Sequence, residues 1–262
     1  MIADKIVALS EMVKYQVINE YHIHENKVEA IYNSVDCKKL NELAETTCTE
    51  LKISSKYIVS MGRLTEQKGQ WHLIRAFKDI LREFPDLQLI ILGEGRLRHQ
   101  LSLLIERLGL QKHVIMPGFI NNPHAIIKDS ELFVLPSLYE GLGNVLLEAL
   151  AFGKMVVATD CIAGPREILA PGSNLLLTYT GIEKPEYAEY GILIPKFDEL
   201  IDIESKEISE KEQDLAKAIV NVLKHNEIKK EYEDRTLAAL SRFKPEVICN
   251  KWSELIEHVI FS

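Results

Sequence analysis

The chain predicts an α/β fold, a parallel sheet with helices on both faces. Short apolar runs alternate with stretches of helical period over residues 57–159. Leu132-Phe133-Val134-Leu135-Pro136 reads as a buried strand. Tyr57-Ile58-Val59-Ser60-Met61 is a second strand-like run that empties into a polar, glycine-bearing loop before an amphipathic helix.

The elements follow in order. Ala3 to Ser10 reads as a strand, Glu11 to about Tyr21 as a helix, and Lys27 to Asp36 as a connecting segment. After the strand at 57–61 comes a helix at 70–83, whose apolar period is Trp71, Leu73, Ile74, Phe77, Ile80 and Leu81. Strand-like runs at 87–92, 113–116, 131–135 and 155–159 are separated by helical periods at 96–108, 122–129 and 143–152. Residues 173–190 carry few helix or strand signals and are expected as a long loop, followed by a last short strand at 191–195. The charge-rich stretch 198–213 is expected to be exposed, and helices at about 211–225, 227–241 and 245–260 close the chain. There is no internal repeat or low-complexity tract.

Composition narrows the function classes. With 262 residues and 47% hydrophobic content, the chain can bury one large core or two small ones. A net charge of −8, with no Lys/Arg cluster, argues against a nucleic-acid binder. Cys37, Cys48, Cys161 and Cys249 show neither C-x-x-C pairing nor zinc spacing, so reduced thiols in a cytoplasmic setting are expected. No apolar run approaches the roughly 20 residues of a spanning helix, which leaves peripheral membrane association open.

Two loops carry the chemistry. Gly62-Arg63-Leu64-Thr65-Glu66-Gln67-Lys68-Gly69 places Arg63 and Lys68 between a strand and a helix. Such a pair suits a diphosphate, because arginine forks onto two oxygens while lysine supplies a mobile point charge. The alternative for either residue is ordinary surface charge. In Glu140-Gly141-Leu142-Gly143-Asn144-Val145-Leu146-Leu147-Glu148, two glycines leave backbone N–H groups bare where a helix begins, which attracts phosphate. Glu148 lies five residues past Gly143, about 7 Å up that helix, so one carboxylate can reach a sugar and the other a ribose. The plainer alternatives are a solvated helix residue for Glu148 and an N-terminal charge favoured by the macrodipole for Glu140.

Together, Gly62-Arg63-Leu64 with Lys68-Gly69, and Glu140 and Glu148 with seven residues between them, resemble the donor half of retaining, family-4 glycosyltransferases of the GT-B architecture. The resemblance covers roughly residues 51 to 200, taking in Gly93-Glu94-Gly95, Val114 to Phe119, and Cys161 to Leu169. The Gly164 to Leu169 segment, followed by Tyr190 to Pro195, is most similar to bacterial enzymes that extend lipid-linked surface oligosaccharides.

This resemblance implies a Rossmann-like donor-binding domain at 51–244, preceded by a remnant of the amino-terminal acceptor domain and linker at 1–50 and followed by a crossover helix at 245–262. It implies retaining transfer of a hexose or N-acetylhexosamine from a nucleoside-diphosphate sugar, with uridine as the expected base, to a saccharide or lipid-linked acceptor. No metal or other cofactor is implied, and no Asp-x-Asp triplet is present. Arg63 and Lys68 would grip the diphosphate on the loop begun by Gly62, aided by the backbone of Gly141, Leu142, Gly143 and Asn144. Glu140 would hydrogen-bond the donor sugar near its 3- and 4-hydroxyls without acting as a covalent nucleophile. Glu148 would accept the ribose hydroxyls, and the base would lie against Gly118, Phe119 and Ile120. The setting would be cytoplasmic or peripheral at the inner face of the membrane.

Under the same resemblance, most of an acceptor domain is missing. Ile6, Val7, Leu9, Val13 and Val17 then belong to an unpaired strand and its helix, so residues 1–33 are expected to be mobile, swapped into another copy or packed on a separate partner. The helix from Pro245 to Ile260 would have nothing to cover. The rival is a non-catalytic sugar-nucleotide-binding subunit or truncated remnant that needs a separate acceptor domain. A dinucleotide oxidoreductase fails because Arg96 follows Gly93-Glu94-Gly95 without a third glycine, and a P-loop fails for want of Gly-Lys-Ser/Thr. A glycoside hydrolase built on Glu140 and Glu148 is disfavoured by the phosphate-seeking loops beside them.

Overall fold

The computed structural model describes residues 3–45, 51, 53, 55–198 and 202–261. Two sheets are present among them. Strand β1 (Ile6–Ala8), helix α1 (Glu11–Tyr21) and strand β2 (Val28–Ala30) form a small two-stranded parallel unit, and α2 (Cys37–Glu45) follows it.

The larger unit alternates as expected: β3 (Tyr57–Met61), α3 (Gln70–Glu83), β4 (Gln88–Leu92), α4 (Arg98–Leu108), β5 (Val114–Gly118), α5 (His124–Lys128), β6 (Phe133–Leu135), α6 (Asn144–Ala151), β7 (Val156–Thr159) and α7 (Pro165–Leu169). Then come α8 (Leu177–Thr180), β8 (Glu186–Tyr187), β9 (Ile192–Ile194), α9 (Glu210–Lys224), α10 (Asn226–Ala239) and α11 (Pro245–Phe261). The sheet order is β5-β4-β3-β6-β7-β9-β8, parallel except for the antiparallel edge pair β8–β9. Pro117 is tolerated because β5 is an edge strand.

Both faces of this sheet are buried, which explains why its strands read as unbroken apolar runs. On β4, Ile90 and Leu92 join the core on one face, with Val59, Phe133 and Leu135. Leu89 and Ile91 join the opposite core with Ile58, Trp71, Phe77 and Ile219. The chain runs outward from β3 through β4 to β5, then returns to lay β6 on the other side of β3. That reversal makes a topological switch point, where the connections leaving β3 and β6 pass to helices on opposite faces of the sheet.

Four expectations are corrected. β1 is not unpaired: Ile6, Val7 and Ala8 pair with Val28, Glu29 and Ala30, because the chain turns back through α1 to supply its own partner strand. α11 has something to cover, since it lies beside β1 and β2 across a cavity of about 270 Å³ lined by Lys5, Glu29 and Ile31 on one side and Lys251, Glu254, Leu255 and His258 on the other. Residues 173–190 are not all loop; α8 and β8 form there, with Thr178 buried and Tyr187 pairing with Ile192. Within 198–213, Glu212 is 1% exposed, because it closes a capping box with Ser209 and receives Arg75 at 2.6 Å and His72 at 2.6 Å.

Candidate functional site

The site grows from the carboxyl ends of β3, β5 and β6. Gly62 continues the ladder by donating to the Leu92 carbonyl at 3.0 Å. A Cβ at Gly62 would stand 3.1 Å from Lys68 Cδ, so the lysine stem lies directly over the bare glycine. Arg63 is exposed, and its guanidinium has no hydrogen-bond or ion-pair partner among the described residues. Its carbonyl is held by Gln70 Nε2 at 3.0 Å.

The turn Glu66–Lys68 ends on Gly69, whose φ of 59° is left-handed and whose Cβ would come 2.2 Å from the Pro136 carbonyl. Glycine is needed there on both counts. This close approach presses the loop after β3 onto the end of β6 and carries Lys68 to Glu140. The Lys68 Nζ–Glu140 Oε1 distance is 2.6 Å, with side chains 14% and 6% exposed. Ser137, buried, donates its hydroxyl to the same Oε1 at 2.6 Å. Glu140 is thereby fixed by a cation and a hydroxyl, while its Oε2 accepts from no described residue.

Beyond Glu140, Gly143 takes a φ of 83° and starts α6 with no side-chain cap, so the first N–H groups of that helix stay available to a ligand. A Cβ at Gly141 would meet Leu9 Cδ1 at 3.9 Å. Leu142 is buried, so only its backbone can serve a ligand. The Asn144 side chain is already engaged: its Oδ1 accepts from Asn33 Nδ2 at 3.0 Å. Glu148 sits just over one turn along α6, half-buried and without a hydrogen-bond or ion-pair partner among the described residues. Burial alone pushes its pKa up. This partial burial separates Glu148 from an ordinary solvated helix residue.

A cavity of about 460 Å³ adjoins these loops, lined by Met61, Gly62, Arg63, Leu92, Gly93, Glu94, Phe119, Ile120, Asn121 and Pro123. Phe119 stands 74% exposed at its mouth, an unusual position for a phenyl ring, while Ile120 is buried. Gly118, with a φ of 92°, does not line the cavity; a Cβ there would meet Glu94 Oε1 at 2.6 Å, so the glycine lets Glu94 sit beside it. Glu94 Oε1 is held in turn by Arg98 at 2.6 Å.

The structure thus brings Gly62, Arg63, Phe119 and Ile120 into one cavity and joins Lys68 to Glu140. It sets Gly141 to Asn144 and Glu148 on the adjoining loop and helix. Several supporting residues escaped sequence reasoning. Ser137 lies three residues before Glu140 and Gln70 seven after Arg63, contacts within single loops whose spacing follows no helix or strand period. Asn33 lies 111 residues from Asn144, beyond any local signal.

A doubly covered parallel sheet with cations, bare helix N–H groups and a cavity at its switch point defines a Rossmann-like ligand-binding domain. The family description "Glycosyl transferases group 1" matches residues 49–194, and the chain belongs to that family. An uncharacterized glycosyltransferase of Methanocaldococcus jannaschii is 37% identical over 98% of this chain and 64% of its own length. The Campylobacter jejuni N-acetylgalactosamine-N,N'-diacetylbacillosaminyl-diphospho-undecaprenol 4-alpha-N-acetylgalactosaminyltransferase is 37% identical over 63% of this chain and 44% of its own length. The chain therefore spans less than two thirds of either relative. Among solved structures, Anabaena HepE in complex with UDP and glucose superposes with a TM-score of 0.76 at 22% identity, covering 98% of this chain and 64% of that one. At that identity the likeness concerns the fold.

Proposed function

We propose that this chain is the donor-binding part of a glycosyltransferase that moves a hexose or N-acetylhexosamine, with retention, from a uridine-diphosphate sugar to a saccharide or lipid-linked oligosaccharide. The observation that carries this reading is the convergence of Arg63, the Lys68–Glu140 pair and the bare start of α6 on one crevice. Phe119 and Ile120 line a cavity that would take the base, Glu148 would accept the ribose hydroxyls, and Arg63 and Lys68, on the one loop after β3, would hold the diphosphate. Departure of a nucleoside diphosphate leaves negative charge on its phosphates; two cations and a helix N-terminus stabilise that charge without a metal. Glu140, held by Ser137 and Lys68, presents its second oxygen to the hydroxyls of the donor sugar.

The UDP found with HepE and the undecaprenol-linked substrate in the name of the Campylobacter relative support the donor and acceptor classes. The proposed division is a donor domain at 51–244, with 1–50 and 245–262 belonging to an interface with an acceptor domain. The described parts of those two segments pack side by side, which supports treating them together. Peripheral association with a membrane that holds the lipid-linked acceptor is part of the proposal. Among the described residues, no helix is long and apolar enough to cross a membrane.

The test is transfer from a labelled UDP-sugar to a lipid-linked acceptor extract, by the chain alone and with an acceptor domain added or fused. Transfer that depends on the added domain is expected. Robust transfer by the chain alone contradicts the proposed division, and absence of both transfer and donor binding contradicts the function.

A further inference from the structure

Glu167 lies outside the crevice, yet it is 3% exposed and collects partners from three parts of the chain. Its Oε2 accepts from the Glu11 amide at 2.9 Å and the Tyr32 hydroxyl at 2.9 Å, and its Oε1 accepts from the Met12 amide at 3.1 Å. The Arg242 guanidinium donates to its backbone carbonyl and lies 5.8 Å from the Tyr32 ring centroid. With Ser10 capping Val13, the carboxylate completes the N-terminus of α1 from a different element, where its charge also matches the helix dipole. Burial and the neighbouring Glu167 raise the Tyr32 pKa, so that hydroxyl remains a donor.

The residues around Glu167 lead back to the crevice by separate routes. Gly164, the cap of α7, presses on the Leu142 carbonyl so closely that a Cβ would come within 2.0 Å of it. The Ile162 carbonyl accepts from the Glu140 amide at 3.1 Å. From the other side, Leu9 Cδ1 stands 3.9 Å from where a Gly141 Cβ would be, and Asn33, next to Tyr32, reaches Asn144. The glycine loop is therefore bounded below by the segment leading into α7 and above by residues that Glu167 anchors.

We propose that Glu167 is a positioning residue: it holds the start of α1 and Tyr32 so that Leu9 and Asn33 stay seated over the Gly141–Asn144 loop, and it links occupancy of that loop to the order of α1. This rests on the donor-site reading above. A carboxylate that merely stabilised the fold would not make the α1 amides respond to a ligand they do not touch.

The test is amide hydrogen exchange of the full chain with and without saturating UDP. In wild type, UDP should slow exchange at Glu11 to Val13 at least about fivefold. Glu167→Gln should bind UDP within about threefold of wild type but lose at least half of that slowing, since only one side-chain oxygen remains to accept from the Glu11 and Met12 amides. Tyr32→Phe, which removes one donor and keeps the ring, should lose part of it, and decides alone if Glu167→Gln does not fold. Slowing that persists in full in the variants, or UDP binding to wild type without any slowing at these amides, overturns the inference while leaving the donor site intact. Failure of wild type to bind UDP overturns both.

Discussion

Lys68 and Glu140 pair at 2.6 Å, while Arg63 and Glu148 have no hydrogen-bond or ion-pair partner among the described residues. Two responses to substitution are expected, one at the cations and one at Glu148. Lys68→Ala and Arg63→Ala should each weaken UDP binding by about 1.5–3 kcal/mol, the range for charge-assisted contacts in a partly desolvated site. Titration calorimetry checks this, and variants that bind like wild type would place the diphosphate elsewhere. Glu148 carries a pH signature. Its folded pKa is raised above the ordinary 4.5 by burial, so between those values the native state binds the extra proton. The stabilisation is full below the ordinary value and is lost as pH rises through the folded one. Glu148→Gln, which carries no charge at any pH, should therefore gain melting temperature relative to wild type as pH rises from 4 to 7, while binding uridine more weakly. Melting curves at pH 4 and 7 check the sign: the advantage should shrink at pH 4.

At the scale of elements, the loops matter more than the helices they join. Gly143 and Gly164 both have positive φ, 83° and 89°, but their surroundings differ. A Cβ on Gly143 would touch Leu146 Cδ1 at an ordinary 3.4 Å, whereas on Gly164 it would collide with the Leu142 backbone at 2.0 Å. Gly143→Ala should cost about 1–2 kcal/mol from left-handed backbone alone. Gly164→Ala adds a clash with backbone that has nowhere to go, so its loss in chemical denaturation should exceed that of Gly143→Ala. Equal losses would mean that α7 does not press on the glycine loop.

The same contrast explains how far the sequence could be read. The alternation of β3 through β7 was legible because the inner strands are buried on both faces and read as apolar runs, while the apolar residues of the helices recur at helical spacing toward the sheet. The positions of Arg63, Lys68, Glu140 and Glu148 beside their glycines were also legible, since turn chemistry is local. What the periodicity could not show is which segments find each other in space. β2 was read only as connecting chain although it is the partner of β1, and Glu212 looked like one more charge in an acidic run although it closes a buried network with His72 and Arg75. Glu167's role has the same origin: its partners lie far along the chain, and one carboxylate leaves no period to count.

For the molecule as a whole, the sheet reversal between β3 and β6 puts every proposed ligand group on one edge, leaving the opposite edge to ordinary turns. α11 exposes Trp252, Ile256 and Ile260, consistent with the proposed interface to an acceptor domain. The central claim is that Arg63, Lys68 and the start of α6 together hold a nucleoside diphosphate using the chain's own charges. Titration of UDP into the full chain, in parallel with and without a chelator of divalent cations, tests it most directly. The account predicts binding that is equal in the two titrations and falls when Lys68 is replaced by alanine; binding that disappears with the chelator, or is indifferent to Lys68, would contradict it.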